Sequence, residues 1–241
     1  MSINTKLINK IDKIYYPKVT NNWDDKFFRE EILKFLNADL MILDIGAGAG
    51  IVKQMNFKGL VNKVIGIDPD KRVLDNPFLD KAIVGFAENM NFFESEKFDI
   101  VICNNVLEHI RKPKEFLCEV NRVLKKGGLF LAKTPNKFHY VSLIAKVTPN
   151  WFHNIFNKYR GRQVEDTFFT YYRLNCYRDI RNISVSCRFE ILKLRYHEAR
   201  SEYLRFNFIV YFLGLIYERF VNLFGLDHFK VLLICVLKKS V

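Results

Sequence analysis

Two carboxylates and three glycines are spaced along residues 41–68 as a ligand site needs them. Residues 41–50 (MILDIGAGAG) form an apolar run that ends in Asp44 and passes into Gly46, Ala47, Gly48 and Gly50. Glycine at such places lets the backbone take a positive φ and lets a ligand come close. A second apolar run, residues 63–67, ends in Asp68, about twenty residues beyond the turn. The runs read as buried strands and the glycines as a tight turn into a helix. A strand, a glycine turn, a helix and a strand ending in a carboxylate make a site for an adenosine-like ribose.

A dinucleotide site favours G-x-G-x-x-G, but the third place here holds Ile51. Asp44 also sits badly beside a pyrophosphate and suits a cationic ligand. Asp44-x-Gly46-x-Gly48-x-Gly50 therefore resembles the first motif of class I S-adenosylmethionine-dependent methyltransferases. The resemblance implies S-adenosyl-L-methionine as cofactor, with Asp44 at its methionine end and Asp68, followed by Pro69, at its ribose hydroxyls. Residues 85–90 (GFAENM) resemble the family's adenine loop and assign Phe86, Ala87 and Glu88 to the cofactor. An acid is common where Phe86 stands, so backbone groups near Ala87 or packing on the ring must replace it. Residues 98–110 look like the family's fourth strand and its L-E-H continuation, with Asn104 at the cofactor. Residues 122–128 (RVLKKGG) resemble its R-V-L-K-P-G-G turn, with Lys126 replacing proline, and 129–133 read as the fifth strand. The resemblance runs from Ile42 to Asn136.

Methyl transfer is an in-line displacement, so alignment of the acceptor is the main demand on the protein. A hydroxyl acceptor also needs a base. His109, after the fourth strand, is the first candidate for that base. His139, at the mouth of the fifth strand, and Tyr171 are the others. Tyr172, Arg173, Arg160 and Arg162 are candidates for binding the acceptor, because arginine grips phosphate and carboxylate in bidentate fashion. Each has a plainer reading as packing or as solvated surface. Glu108 reads as structural or as a contact on the cofactor side. No zinc spacing is visible and no metal is expected. The five cysteines are scattered without a C-x-x-C pair and are expected to be reduced, mostly buried thiols.

The elements that position these groups follow from periodicity. Residues 23–37 read as a helix with Asp24 and Asp25 in its first turn, where the helix dipole favours acids. Five strand–helix units to about residue 134 predict an α/β, doubly wound, seven-stranded, mostly parallel sheet with ligands at the carboxyl ends of its strands. Helix 179–185 and strands 188–196 and 228–237 complete it, the last strand antiparallel beside the fifth. The 241 residues read as one domain. Within it, 1–37 are N-terminal helices or a lid, 38–136 the cofactor core, and 137–177 an aromatic acceptor-side insertion. Residues 178–241 carry the last strands, with an amphipathic helical insertion at 198–226.

The formal net charge is +12, which allows nucleic acid, a membrane face or an anionic substrate. Residues 104–107 (NNVL) are not the [ND]-P-P-[YF] of base-amine methylation, so no nucleic-acid partner is expected. Residues 203–226 are apolar but interrupted by Arg205, Glu218 and Arg219, too short a run to span a bilayer. They leave three readings: a helix packed on its own domain, a membrane-surface helix, or a homodimer face. The N-terminus has no signal-peptide pattern. The expectation is a cytoplasmic enzyme, with peripheral attachment to the inner membrane face as an option. Its acceptor is expected to be a small molecule or an anionic glycan precursor. An RNA methyltransferase and a non-catalytic, membrane-bound scaffold are the competing functions.

Overall fold

The computed structural model describes residues 3–20, 22–147 and 169–240, without the side chains of 145–147. In chain order the elements are α1 Ile3–Tyr15, α2 Trp23–Leu33, β1 Met41–Ile45, β2 Lys63–Asp68, β3 Lys81–Val84, β4 Phe98–Asn104, α3 Pro113–Val123 and β5 Leu124–Pro135. Then come α4 Tyr140–Val147, α5 Tyr177–Ser186, β6 Phe189–His197, α6 Phe208–Leu223 and β7 Leu232–Lys239.

The seven strands form one sheet in the order β3-β2-β1-β4-β5-β7-β6. β1 to β5 pair in parallel, with Asp44 beside Gly66 on β2 and Ile102 on β4. The last strands are antiparallel, and β7 lies beside β5 as expected. This is the Rossmann-like α/β sheet that the sequence predicts.

The connections differ from the expected strand–helix repeat. The glycine turn after β1 does not open an α-helix. It leads to a 3-10 turn at Lys53–Met55. Asn56 follows, and its side chain accepts from Lys58 N at 3.1 Å, a local bond that competes with helix propagation. Met55, Phe57 and Val61 are driven into the core instead. After β2 the chain again makes only a 3-10 turn, Lys71–Asp75, capped by Asp70. It stops at Asn76, because the residue before Pro77 is pushed out of helical ψ. Among the described residues, α3 is the one α-helix that crosses between parallel neighbours of the sheet, from β4 to β5. β5 is longer than expected. It begins at Leu124 and carries Gly127, at φ +72°, within the strand.

The chain divides into two compact units. One comprises Met1–Trp23, Asn136–Phe169 and Tyr196–Leu232; the other comprises Asp24–Pro135, Thr170–Arg195 and Leu233–Val241. α2 goes with the sheet unit. Its Phe28 and Ile32 are fully buried against Ile42, Ile100, Ile102 and Leu131. Burial of side chains of that size contributes about 1.5–3 kcal/mol each. In the other unit Ile8, Ile11 and Tyr16 pack on Tyr211 and Leu215, joining α1 to α6.

The cysteine expectation needs correction. Cys118 on α3 and Cys187 after α5 are joined as a disulfide, with Cα atoms 5.2 Å apart, while Cys103, Cys176 and Cys235 are buried free thiols. The pair meets because α3 packs on α5, a contact that no local spacing reveals.

Candidate cofactor and acceptor site

The carboxyl ends of β1 to β4, all in the sheet unit, carry every residue that the sequence assigned to the cofactor. Gly46 N donates to Ile67 O at 2.8 Å, which closes the turn onto β2. Gly46 has φ +75°, and an added Cβ would lie 2.1 Å from Val106 Cγ2. Gly48 has φ +50°, and the space where its Cβ would stand is open. The loop is pinned from the far side by Asn76, whose Nδ2 donates to Ala47 O at 2.9 Å and Gly48 O at 3.0 Å.

Asp68 faces that loop. Its Oδ2 accepts from Gly48 N at 3.0 Å and its Oδ1 from Asp70 N at 2.8 Å. Burial raises its pKa, and these two backbone donors work against the rise. Asp44 is fully buried beneath. Burial first, and then the charge of Asp68, push its carboxyl up to about 8. Both influences act in the same direction, and no cation is among the causes that shift Asp44. Pro69 lies exposed after β2. Past β3, Gly85 N donates to Asp68 O at 3.0 Å. This presents Phe86, 67 % exposed, next to buried Ala87. Glu88 Oε1 accepts from Arg111 N at 3.3 Å.

At the end of β4 a buried ionic cluster went unread in the sequence. Lys133 on β5 is 0 % exposed, and its Nζ lies 2.6 Å from Asp24 Oδ2 and 2.7 Å from Asp25 Oδ1. The same Asp25 oxygen accepts from Asn104 Nδ2 at 2.9 Å. A carboxylate only accepts, so the amide must turn its nitrogen to Asp25 and its oxygen away. That oxygen, Asn104 Oδ1, is buried without a protein partner. Asp24 and Asp25 therefore do more than complement a helix dipole. The available signal was a lone lysine in an apolar strand.

Four of the proposed acceptor-side residues meet at this corner. His109 ends a 3-10 turn, Leu107–His109. Glu108 O accepts from Tyr171 N at 2.7 Å and from Tyr172 N at 3.1 Å. Arg173 Nη1 donates to Arg111 O at 2.8 Å, and its guanidinium lies 5.4 Å from the Tyr171 ring centroid. Glu108 is buried. Burial raises its carboxyl, against the charge of His109 and a 3.1 Å bond from Thr134 Oγ1. Asn175, also missed, donates to Thr134 Oγ1 and Pro135 O. Asn105 and Tyr172 both hold positive φ, +56° and +51°. Such strain tends to gather at functional corners.

His139 is not part of this group. It belongs to the other unit, where it is buried and burial pushes its pKa down to about 3. Val141 N donates to its Nδ1 at 3.4 Å, so its proton sits on Nε2. Nε2 lies 3.6 Å from Glu198 Oε2, which burial raises to about 8. The spacing is that of an ion pair, but burial disfavours both charges, and we read the contact as neutral. A histidine so held is a poor proton acceptor. Arg160 and Arg162 lie outside the described residues.

The sheet has the Rossmann-like methyltransferase fold, and its glycine turn lies between two buried carboxylates, Asp44 and Asp68. Comparison with known proteins agrees. Residues 43–132 match the family described as "Methyltransferase domain". The thiol S-methyltransferase TMT1B of Rattus norvegicus is 32% identical over 124 residues, covering 47% of this chain and 50% of that protein. The mitochondrial ubiquinone biosynthesis O-methyltransferase of Candida albicans is 33% identical over 158 residues, covering 61% of this chain and 42% of that one. The chain thus spans about half the length of the curated relatives it matches. A SAM-dependent methyltransferase from Archaeoglobus fulgidus shares the fold, with a TM-score of 0.59 at 15% identity, over 96% of this chain and 99% of that one. S-adenosyl-L-methionine is the cofactor of this domain. The residues fit it: an uncompensated buried carboxylate suits its cationic end, and the open face of Gly48 leaves room beside Asp68.

Proposed function

We propose that the protein is an S-adenosylmethionine-dependent methyltransferase acting on a small molecule. The observation that carries this reading is the Asp44–Gly48–Asp68 arrangement, inside the segment that matches a methyltransferase domain. Asp44 would hold the amino-acid end of the cofactor and Asp68 the ribose hydroxyls. Phe86 and the backbone at Ala87 would hold the adenine. When bound, the cofactor supplies a methyl group on an electrophilic sulfonium.

The chain's own part is to position the acceptor and to move its proton. Glu108 O fixes Tyr171 and Tyr172 beside His109, and Arg173 adds a cation at the same corner. His109 would take the proton of a hydroxyl or thiol acceptor, and Arg173 would draw an anionic group. The printed names of the relatives, one a thiol S-methyltransferase and one an O-methyltransferase, support a small acceptor of either kind. An anionic sugar precursor is the narrower reading, and it rests on Arg173.

A radiolabelled methyl-transfer screen over phenols, thiols and phosphorylated sugars tests this. Transfer to at least one class, lost in His109→Ala with cofactor binding intact, is the expected result. Transfer to RNA alone would overturn the small-molecule reading. Absence of cofactor binding by calorimetry would overturn the enzymatic one.

A further inference from the structure

We infer that α1 and α6 form a docking surface for an anionic lipid bilayer. α6 is apolar on two opposite faces. The inner face packs Tyr211 and Leu215 on α1, with Glu218 accepting from Tyr16 Oη at 3.1 Å. The outer face presents Ile209, Phe212, Leu213, Ile216, Phe220 and Leu223, from 43% exposed at Phe212 to 80% at Leu223. At 100° per residue these six fall within one third of the helix circumference and form a continuous band about 20 Å long. α1 adds Ile3, Leu7 and Ile14 on its own exposed side. No helix among the described residues is long and apolar enough to cross a membrane. The surface fits a helix lying in the interface plane.

The charges around the band choose the occupant. α1 and α6 contain one acid each, and both point inward. Asp12 pairs with Arg205 at 2.6 Å and Arg200 at 3.3 Å, while Glu218 is buried. The cations Lys6, Lys10, Lys13 and Arg219 are exposed. Beside a few neutral polar groups such as Thr5 and Asn222, the outer surface therefore offers apolar and positive groups and no exposed acid from either helix. In a twofold contact between two copies, such rims would face their like. A bilayer bearing anionic headgroups takes both the band and the rim.

Flotation of the full chain with phosphatidylcholine vesicles, with and without about one-third phosphatidylglycerol, is the test. The expected result is partition onto the anionic vesicles, weakened by salt. A Lys6→Gln/Lys10→Gln/Lys13→Gln variant should lose roughly 10²-fold, about fivefold per lysine. A Leu213→Ser/Ile216→Ser/Phe220→Ser variant should lose partition while keeping its unfolding midpoint, since all three side chains face outward. Should that variant fail to fold, the lysine variant decides alone. Partition that ignores phosphatidylglycerol, or no partition at all, overturns the inference. So does a concentration-dependent dimer in sedimentation velocity that the serine variant dissolves.

Discussion

Asp68 holds the backbone of the glycine loop with one oxygen and that of Asp70 with the other. In our reading its remaining lone pairs meet the ribose. Asp68→Ala should therefore weaken cofactor binding about 10²-fold or more, at roughly 1.5–3 kcal/mol per charge-assisted hydrogen bond. Retention of the wild-type dissociation constant in calorimetry would end the assignment. Asp44 makes a prediction in pH. Its folded pKa, about 8, lies above the ordinary carboxyl value. Such a group costs stability increasingly as pH rises from about 4 toward 8. A cationic ligand favours the carboxylate, so binding below pH 8 should release up to about one proton, and affinity should rise with pH to that point. Calorimetry in buffers of different ionisation enthalpy measures the proton; an enthalpy independent of buffer would refute it.

Among elements, the turn after β1 separates folding from binding. Gly46→Ala brings a methyl against Val106 in a backbone conformation that alanine resists. It should destabilise the fold by more than about 1 kcal/mol. Gly48→Ala carries a similar backbone cost, at φ +50°, but its methyl meets open space, so it should destabilise less than Gly46→Ala while still lowering cofactor affinity. Thermal melts alongside titrations separate the two. α2 is fastened to the sheet by Lys133 as well as by Phe28 and Ile32. Lys133→Met leaves two carboxylates beside a buried site, a loss of roughly 3–5 kcal/mol. Adding Asp24→Asn and Asp25→Asn should recover part of it in urea unfolding. No recovery would mean that the lysine matters for packing alone. The sequence revealed α2 as a helix but not its attachment, because Lys133 and Asp24 are 109 residues apart.

At the scale of the molecule, the Cys118–Cys187 link ties two distant stretches of the sheet unit and closes 69 residues of chain. Chain-entropy arguments give a loop of that size about 4 kcal/mol. Thiol titration of the denatured, unreduced protein should find the three cysteines 103, 176 and 235, and two more after reduction. Five at the outset would show that the link does not form. The basic net charge also resolves at this scale. On α1 and α6 it appears as exposed cations beside inward-turned acids, a sorting that composition cannot display.

Local patterns in the sequence were enough for the strands, the glycine turn and the acids at 44 and 68, since strand ends and turns are dictated by neighbouring residues. They misjudged the connections after β1 and β2, where Asn56 and the Asn76–Pro77 pair stop helices that periodicity alone would allow. Tertiary structure alone decided which distant side chains meet. It gathered His109 with Tyr171, Tyr172 and Arg173, set His139 beside Glu198 in the other unit, and enclosed Lys133 between two acids. Encounters of that kind depend on how elements pack, and no spacing along the chain encodes them.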